Sequence, residues 1–563
     1  MVDQVSQAEK YHAAEHSPAP GAIPPRPGSG STLAGNDPIS DQPVSSPITA
    51  NACSSYRFRR VASKKVVSFH SQDPANPVNW PKSKKYFVLL SGIMNVMNST
   101  LGSSLPSGAA RYIGEDFNLK TQTELVLPVS IFLVGYVFGP ILCGPLSESI
   151  GRKPVMVAGF FGFILFTLAC ALSQNFATLL VMRFFVGVTA AAPVSIVGGL
   201  YADIYNEPRM RGRVMAVFMA TTCVGPIVGP PISGFISEVN WRWTFWVGLI
   251  LAGATIPLVV FMPETYAPVL LQRRARKLRK ETGDSSIVSL LDLEKRGMKE
   301  MLTVTLTRPI RMVLYESIVL FTCLYISFVY GIFFLYFQTY PVIFQDMYHM
   351  SSGVVGLMFL PIGIGVFIAL AIFFWWDSYL HKAKLRGAEW SSIEEYRRLP
   401  LATIGGPLYV ISLLWLGWTA SPSIHWVVPM LSGIPFGLGF VLIFMAMLNY
   451  VSDAYETFSA SAQSAASCFR SMVGAALPIA APKMYASLGV NWGCTLLAGV
   501  SLLLTATPFA FIKFGDRIRA NSKFCQHLKQ LKEDMIREEE EENRANAPTQ
   551  ADDPEKGPAL PVN

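Results

Sequence analysis

The sequence predicts an all-α membrane protein with twelve transmembrane helices in two six-helix bundles. Three observations carry this. Apolar residues make up 51% of the 563-residue chain and charged residues only 15%, and the apolar residues come in blocks of about 20, the length of helix that crosses a ~30 Å hydrocarbon core. Six blocks fall on each side of a polar connector, residues 263–312. Cationic residues collect in alternate connectors, as the positive-inside rule requires of a polytopic chain.

Residues 1–85 are rich in Ser, Pro, Ala and Gly and hold no apolar run, so they read as a disordered cytoplasmic tail without a cleavable signal; the first span serves as its own insertion signal. The N-terminal bundle, 86–262, takes spans near 86–107, 124–146, 155–174, 178–201, 213–236 and 243–262. The cytoplasmic connector carries Arg273, Arg274, Arg276, Lys277, Arg279 and Lys280, then an amphipathic stretch toward Arg308 and Arg311. The C-terminal bundle, 313–514, takes spans near 313–337, 352–376, 401–419, 424–450, 458–484 and 493–514. The tail from 515 to 563 ends in an acidic run, Glu538–Glu542, either a solvated helix or disordered. Inner connectors hold Arg152, Lys153, Arg209, Arg211, Arg213, Lys382, Lys384 and Arg386, against Arg111, Lys120, Arg242 and Lys483 outside. Both termini are therefore expected in the cytoplasm.

Several function classes are excluded. The net charge of +8 is spread over one side's loops and is no nucleic-acid signal. The eight cysteines show no CxxC spacing, and the seven histidines are scattered, so no metal or other cofactor is expected. No GxxxxGK[ST] is present for nucleotide-driven pumping. An enzyme is not expected; transport would have to be secondary.

The chemistry-bearing residues are few. Between spans 2 and 3, Gly144-Pro-Leu-Ser-Glu148-Ser-Ile-Gly151-Arg152-Lys153 joins two apolar runs through an acid, a glycine turn and two cations, a latch between helix ends. In span 4, Arg183 lies on one face with Gly187, Ala190 and Val194; it either snorkels or turns inward to hold a neighbouring carboxyl or backbone group, and through that coupling regulates a proton site. In span 5, Gly225, Pro226, Gly229, Pro230 and Gly234 concentrate small residues and helix breakers, which suit close helix contact and a bend. Candidates for the substrate cavity are Asn95 and Asn98 in span 1, Tyr330 and Gln338 in span 7, Asn449 in span 10, and Gln463 and Arg470 in span 11. Interhelical hydrogen bonding is an equal alternative for the two asparagines, and packing an alternative for the aromatic face.

Together these residues resemble the major facilitator superfamily, and more narrowly its fungal drug:proton antiporter-1 members. The Gly144–Lys153 loop is similar to the superfamily's loop 2–3 motif, with Ser149 departing from its usual basic or aromatic residue. Arg183-Phe184-Phe185-Val186-Gly187 resembles the span 4 motif linked to proton coupling, and the span 5 run resembles the antiporter motif, with Ser233-Gly234 in place of Gly-Gly. Pro263-Glu264-Thr265-Tyr266-Ala267-Pro268 and Asp73-Pro74-Ala75-Asn76-Pro77 carry the likeness further. By that resemblance, Asp203 at the end of span 4 is the latch partner of Arg152. The resemblance implies a monomeric, proton-coupled exporter of small organic molecules in the plasma membrane or the vacuolar membrane, working in the lipid bilayer with protons as the second partner. An organic acid or polyamine transporter, an importer, and a non-transporting sensor are the alternatives.

Overall fold

In the computed structural model the described residues are 57–61, 64–70, 72–293, 298–455, 459–522, and 525, 526, 530, 533 and 537. Helix α1, Lys82–Asp116, opens the first bundle and is followed by α2 (Gln122–Tyr136), α3 (Phe138–Ile150), α4 (Arg152–Ala171), α5 (Phe176–Ile204), α6 (Pro208–Ser237) and α7 (Arg242–Val260). After the connector come α11 (Ser317–Tyr340), α12 (Ser352–Leu357), α13 (Leu360–Leu385), α14 (Glu394–Thr419), α15 (Val427–Leu431), α16 (Gly433–Tyr455) and α17 (Ser459–Asn521). Among the described residues, ten helical stretches are long and apolar enough to cross a membrane. Helix α1 falls short of that apolarity because it carries a buried polar load, including Ser91, Asn95, Asn98, Ser103 and Ser107. Its polar groups face helices instead of lipid. Helix α17 counts once, although Gly489, at φ 73 and ψ 169, interrupts it and divides it into two arms.

Local signals set the helix starts. Thr121 and Glu124 form a reciprocal capping box on α2, and Asn175 caps α5. The two bundles share one apolar core, running from Phe132, Phe160 and Phe245 to Tyr336, Tyr409 and Phe511. They meet along α6 against α12 and α13, and along α2 against α17.

The structure departs from the sequence reading at the connector. Strands β1 (Arg57–Val61) and β2 (Lys64–Ser68) pair antiparallel, and β2 pairs in parallel with β3 (Ile287–Val288). This sheet packs on the connector helix α8 (Ala267–Thr282), burying Val67, Ala275, Leu278 and Ile287 together. A short helix α9 (Leu290–Leu293) and helix α10 (Met298–Tyr315) complete the link. The expected disordered tail is therefore corrected from β1 onward; residues 1–56 lie outside the described residues, as does the Glu538–Glu542 run. Its anchor is Asp73, which accepts from Ala75 N–H at 2.9 Å and from Arg274 Nη1 at 2.6 Å. Burial pushes the Asp73 carboxyl up, but the Arg274 hydrogen bond and charge, with the Ala75 N–H, outweigh it and hold it below its ordinary value.

Candidate functional site

At one end of the bundles the loop between α3 and α4 closes into a charged cluster. Gly151 sits at φ +110, and a Cβ there would collide with the Glu264 carboxylate, so only glycine suits the turn. Glu264 is the hub. Its Oε1 accepts from the backbone N–H of Arg152 (2.9 Å), Thr265 (3.1 Å) and Tyr266 (3.0 Å), and Oε2 from Lys153 N–H (3.2 Å). One buried carboxylate thus caps the positive start of α4 and ties it to the lead-in of α8. Arg152 extends its Nε to Asp203 Oδ2 at 3.3 Å and its Nη1 to Ser147 Oγ at 2.8 Å, and its guanidinium lies 4.7 Å from the Tyr266 ring.

The other latch candidates contribute less. Glu148 stands 3.7 Å from Arg152 with its side chain 55% exposed, a geometry of small energetic weight. Lys153 enters through its backbone, and a Cβ on Gly144 would meet nothing within 4 Å. The second bundle repeats the pattern: Arg398 at the start of α14 reaches Asp453 at the end of α16 at 2.7 Å, as Arg152 reaches Asp203. Across the bundles, Arg209 and Arg213 of α6 approach Asp377 of α13 at 3.6 and 3.5 Å.

Arg183 is turned inward, 1% exposed. Its Nε donates to Pro128 carbonyl (2.8 Å), Nη1 to Gly102 carbonyl (2.9 Å) and Nη2 to Ser103 carbonyl (3.3 Å), with the Phe132 ring 4.6 Å away. The sequence explains the partner. In a helix the Gly102 carbonyl would accept from residue 106, which is Pro106 and has no N–H; Arg183 fills that vacancy. Gly187 brings the α5 backbone onto the Phe132 carbonyl, too close for any Cβ.

Helix α6 runs unbroken from Pro208 to Ser237 through its three internal prolines. Its glycines serve contact: Gly225 lies against Thr100 and Gly229 against Ser104 of α1, while Gly234 meets the Ser352 carbonyl of α12 in the other bundle. Pro226 lines the central cavity and Pro230 the one beyond it.

The central cavity leaves about 30 Å³ in which a water centre can sit. Arg470, Tyr330 and Phe444 face it from the second bundle, and Thr100, Tyr136 and Thr222 from the first. Beyond it, toward the end opposite the latch, a wider cavity of about 340 Å³ opens between Arg111 and Gln122 on one side and Gln338 and Asp346 on the other. Of the seven cavity candidates, Tyr330 and Arg470 come together in the central cavity and Gln338 joins the outer one. Asn98 does not reach either: it donates to Thr255 Oγ1 at 2.8 Å within the first bundle, beside Arg183. Gln463 bonds Ser452 Oγ between α17 and α16, Asn95 is buried with both amide atoms unpaired, and Asn449 lines neither cavity. Sequence reasoning missed Glu264 and Pro106; Glu264 stood within a quoted motif but had no assigned role.

The chain matches the sequence profile described as Major Facilitator Superfamily over residues 88–482. It is similar to the citrinin biosynthesis cluster MFS transporter mrr1 of Monascus ruber, with 38% identity over 457 residues, 80% of this chain and 90% of that relative. It is similar also to the ascochitine biosynthesis cluster MFS transporter of Didymella fabae, 35% identical over 81% of this chain and 88% of the relative. Efflux pump FUB11 of Gibberella moniliformis is 37% identical over 82% of this chain and 77% of the relative. Among solved structures, the proton:xylose symporter XylE bound to 6-bromo-6-deoxy-D-glucose shares the fold, with a TM-score of 0.55 at 15% identity over 77% of this chain and 97% of that one.

Proposed function

The chain belongs to the major facilitator superfamily of membrane transporters, and from that premise we propose that it is a proton-coupled exporter of small organic molecules working by alternating access. The observation that carries export is the company it keeps: its relatives include an efflux pump and transporters of secondary-metabolite clusters. The span 5 run, whose glycines seat α6 on α1 and α12, supports the same reading.

In this account there are twelve spans, the ten apolar stretches plus α1, with α17 supplying two in place of one. The latch end faces the cytoplasm with both termini, in keeping with its basic residues. The protein acts as a monomer in the plasma membrane. Here the latch end is closed and the opposite end is wide, the arrangement that releases cargo outward and admits a proton. Protonation of Asp203 weakens its hold on Arg152 at the start of α4, and the bundles rock toward the cytoplasm. Arg183 releases no proton; it couples by holding α1, α2 and α5 as one unit while the bundles move. Among the described residues lining the central cavity there is no carboxylate, which opposes a polyamine as cargo.

The test is an efflux comparison between cells carrying and lacking this chain, loaded with chemically diverse toxins. Faster efflux with the chain, abolished by a protonophore, is expected. Efflux that survives the collapsed gradient would identify a uniporter instead.

A further inference from the structure

The central cavity holds a positive charge with no answering negative one. Among the described residues lining it, Arg470 is the one ionised side chain, and its Nε is buried without a hydrogen-bond partner. It is flanked by rings: its guanidinium carbon lies 5.3 Å from the centre of Tyr330 and 5.6 Å from that of Phe444. The contrast with Arg183 is instructive. Arg183 is fully buried and all three of its donor nitrogens reach backbone carbonyls, whereas Arg470 is half-buried and its buried Nε reaches no acceptor. A guanidinium N–H buried without a hydrogen-bonded partner is costly. Such a cost is tolerated where a ligand removes it.

The hydroxyls of Thr100, Ser103, Thr222 and Tyr136 around the cavity are already committed. Thr100 donates to the Val96 carbonyl, Ser103 to the Thr100 carbonyl and Thr222 to the Met219 carbonyl, and the Tyr136 hydroxyl is shared with Ser99. The Arg470 guanidinium, with the Tyr330 hydroxyl beside it, is thus what the cavity has to offer an incoming molecule. A planar guanidinium matches a carboxylate or similar oxyanion through two parallel hydrogen bonds, and it repels cations. The remaining walls are aromatic, with Phe132, Phe333 and Phe440 joining Tyr330 and Phe444, surfaces against which a flat unsaturated ring system stacks.

We propose that Arg470 is the substrate anchor and that the cargo is an organic anion, an oxyanion carried on a flat ring system. This rests on the exporter reading and narrows its cargo. Binding also serves the cycle: an anion on Arg470 neutralises the uncompensated charge between the bundles and lets them close around it.

The test is equilibrium binding to the purified full-length chain in lipid nanodiscs at neutral pH. The probes are naphthoate and naphthamide, which share a ring system and differ in charge. Naphthoate is expected to bind at least tenfold tighter than naphthamide. Arg470→Gln removes that preference, weakening naphthoate tenfold or more while leaving naphthamide within about twofold, and Arg470→Lys keeps part of it. Unchanged thermal unfolding midpoints show that both variants are folded. Equal binding of the two probes, binding of neither, or a naphthoate preference that survives Arg470→Gln overturns the proposal. Because binding is read without transport, the two readings fail separately. A chain that binds naphthoate through Arg470 but never lowers its accumulation in cells refutes the exporter; one that expels neutral toxins and ignores naphthoate refutes the anchor.

Discussion

Replacing Glu264 with alanine removes one carboxylate that accepts four backbone N–H groups, two at the start of α4 and two at the entry to α8. Hydrogen bonds to a charged group contribute about 1.5–3 kcal/mol each. Water reaches the vacated pocket and satisfies some donors, so the four values do not add. At a single amide, losing about 1.5–3 kcal/mol of protection speeds exchange roughly ten- to a hundredfold, since about 1.4 kcal/mol is a factor of ten. The assay is amide hydrogen exchange by mass spectrometry on the chain in nanodiscs, following peptides that cover residues 148–156 and 262–268. Exchange in both should accelerate together, because one side chain serves both; Glu264→Gln, which keeps an acceptor oxygen, should give a smaller rise. Acceleration at 262–268 with no change at 148–156 would refute the role of Glu264 as the tie between the two helix starts.

Three further outcomes follow from the same contacts. Gly151→Ala places a side chain at φ +110 against Glu264 and should cost about 1–3 kcal/mol, read as a lower melting midpoint, whereas Gly144→Ala, with open space around it, should leave the midpoint unchanged. Arg183→Lys cannot reach three carbonyls at once and should destabilise the chain by about 2–4 kcal/mol; Pro106→Ala supplies the missing N–H to Gly102 carbonyl, so in a double-mutant cycle it should recover part of that loss, and strict additivity would exclude the shared carbonyl. Asp73 has a folded pKa below its ordinary value of 3.8, so its attachment to Arg274 is fully stabilising above that value and is lost as pH falls through the lower, folded one; hydrogen exchange over residues 72–80, corrected for intrinsic rates, should stay slow at pH 5 and above and accelerate only in strong acid, and Asp73→Asn should abolish the pH dependence.

Much of the fold was legible because bilayer thickness and the glycine, proline and charge pattern act locally. The Gly151 turn and the Arg152 charge announce themselves within ten residues. What escaped was every partner chosen at long range. A polar stripe on a helix does not say which neighbour it faces, so Asn98 and Gln463 read like Tyr330 and Arg470, although the first two bond within their own bundle. Arg183 was visible as an intramembrane charge, but its acceptor depends on a proline in another helix. The sheet escaped for a different reason: β3 has only two residues, Ile287–Val288, and its partner strand lies some 220 residues earlier, too short and too distant for any periodicity to reveal. Helix α1 was read as a span because the pattern allowed it, yet its polar load reflects burial at the bundle centre.

Alternating access requires that the two ends of the molecule move in opposition. Spin labels at Arg211 and Lys384 report the latch end, and labels at Val239 and Ser351 the opposite end, with distances read by pulsed electron resonance on the reconstituted chain. Acidification, which neutralises Asp203, should lengthen the first distance and shorten the second, and Glu264→Ala, which unties the start of α4, should produce the same shift at neutral pH. Two distances that stay fixed under both perturbations, or that lengthen together, would contradict alternating access gated by this latch.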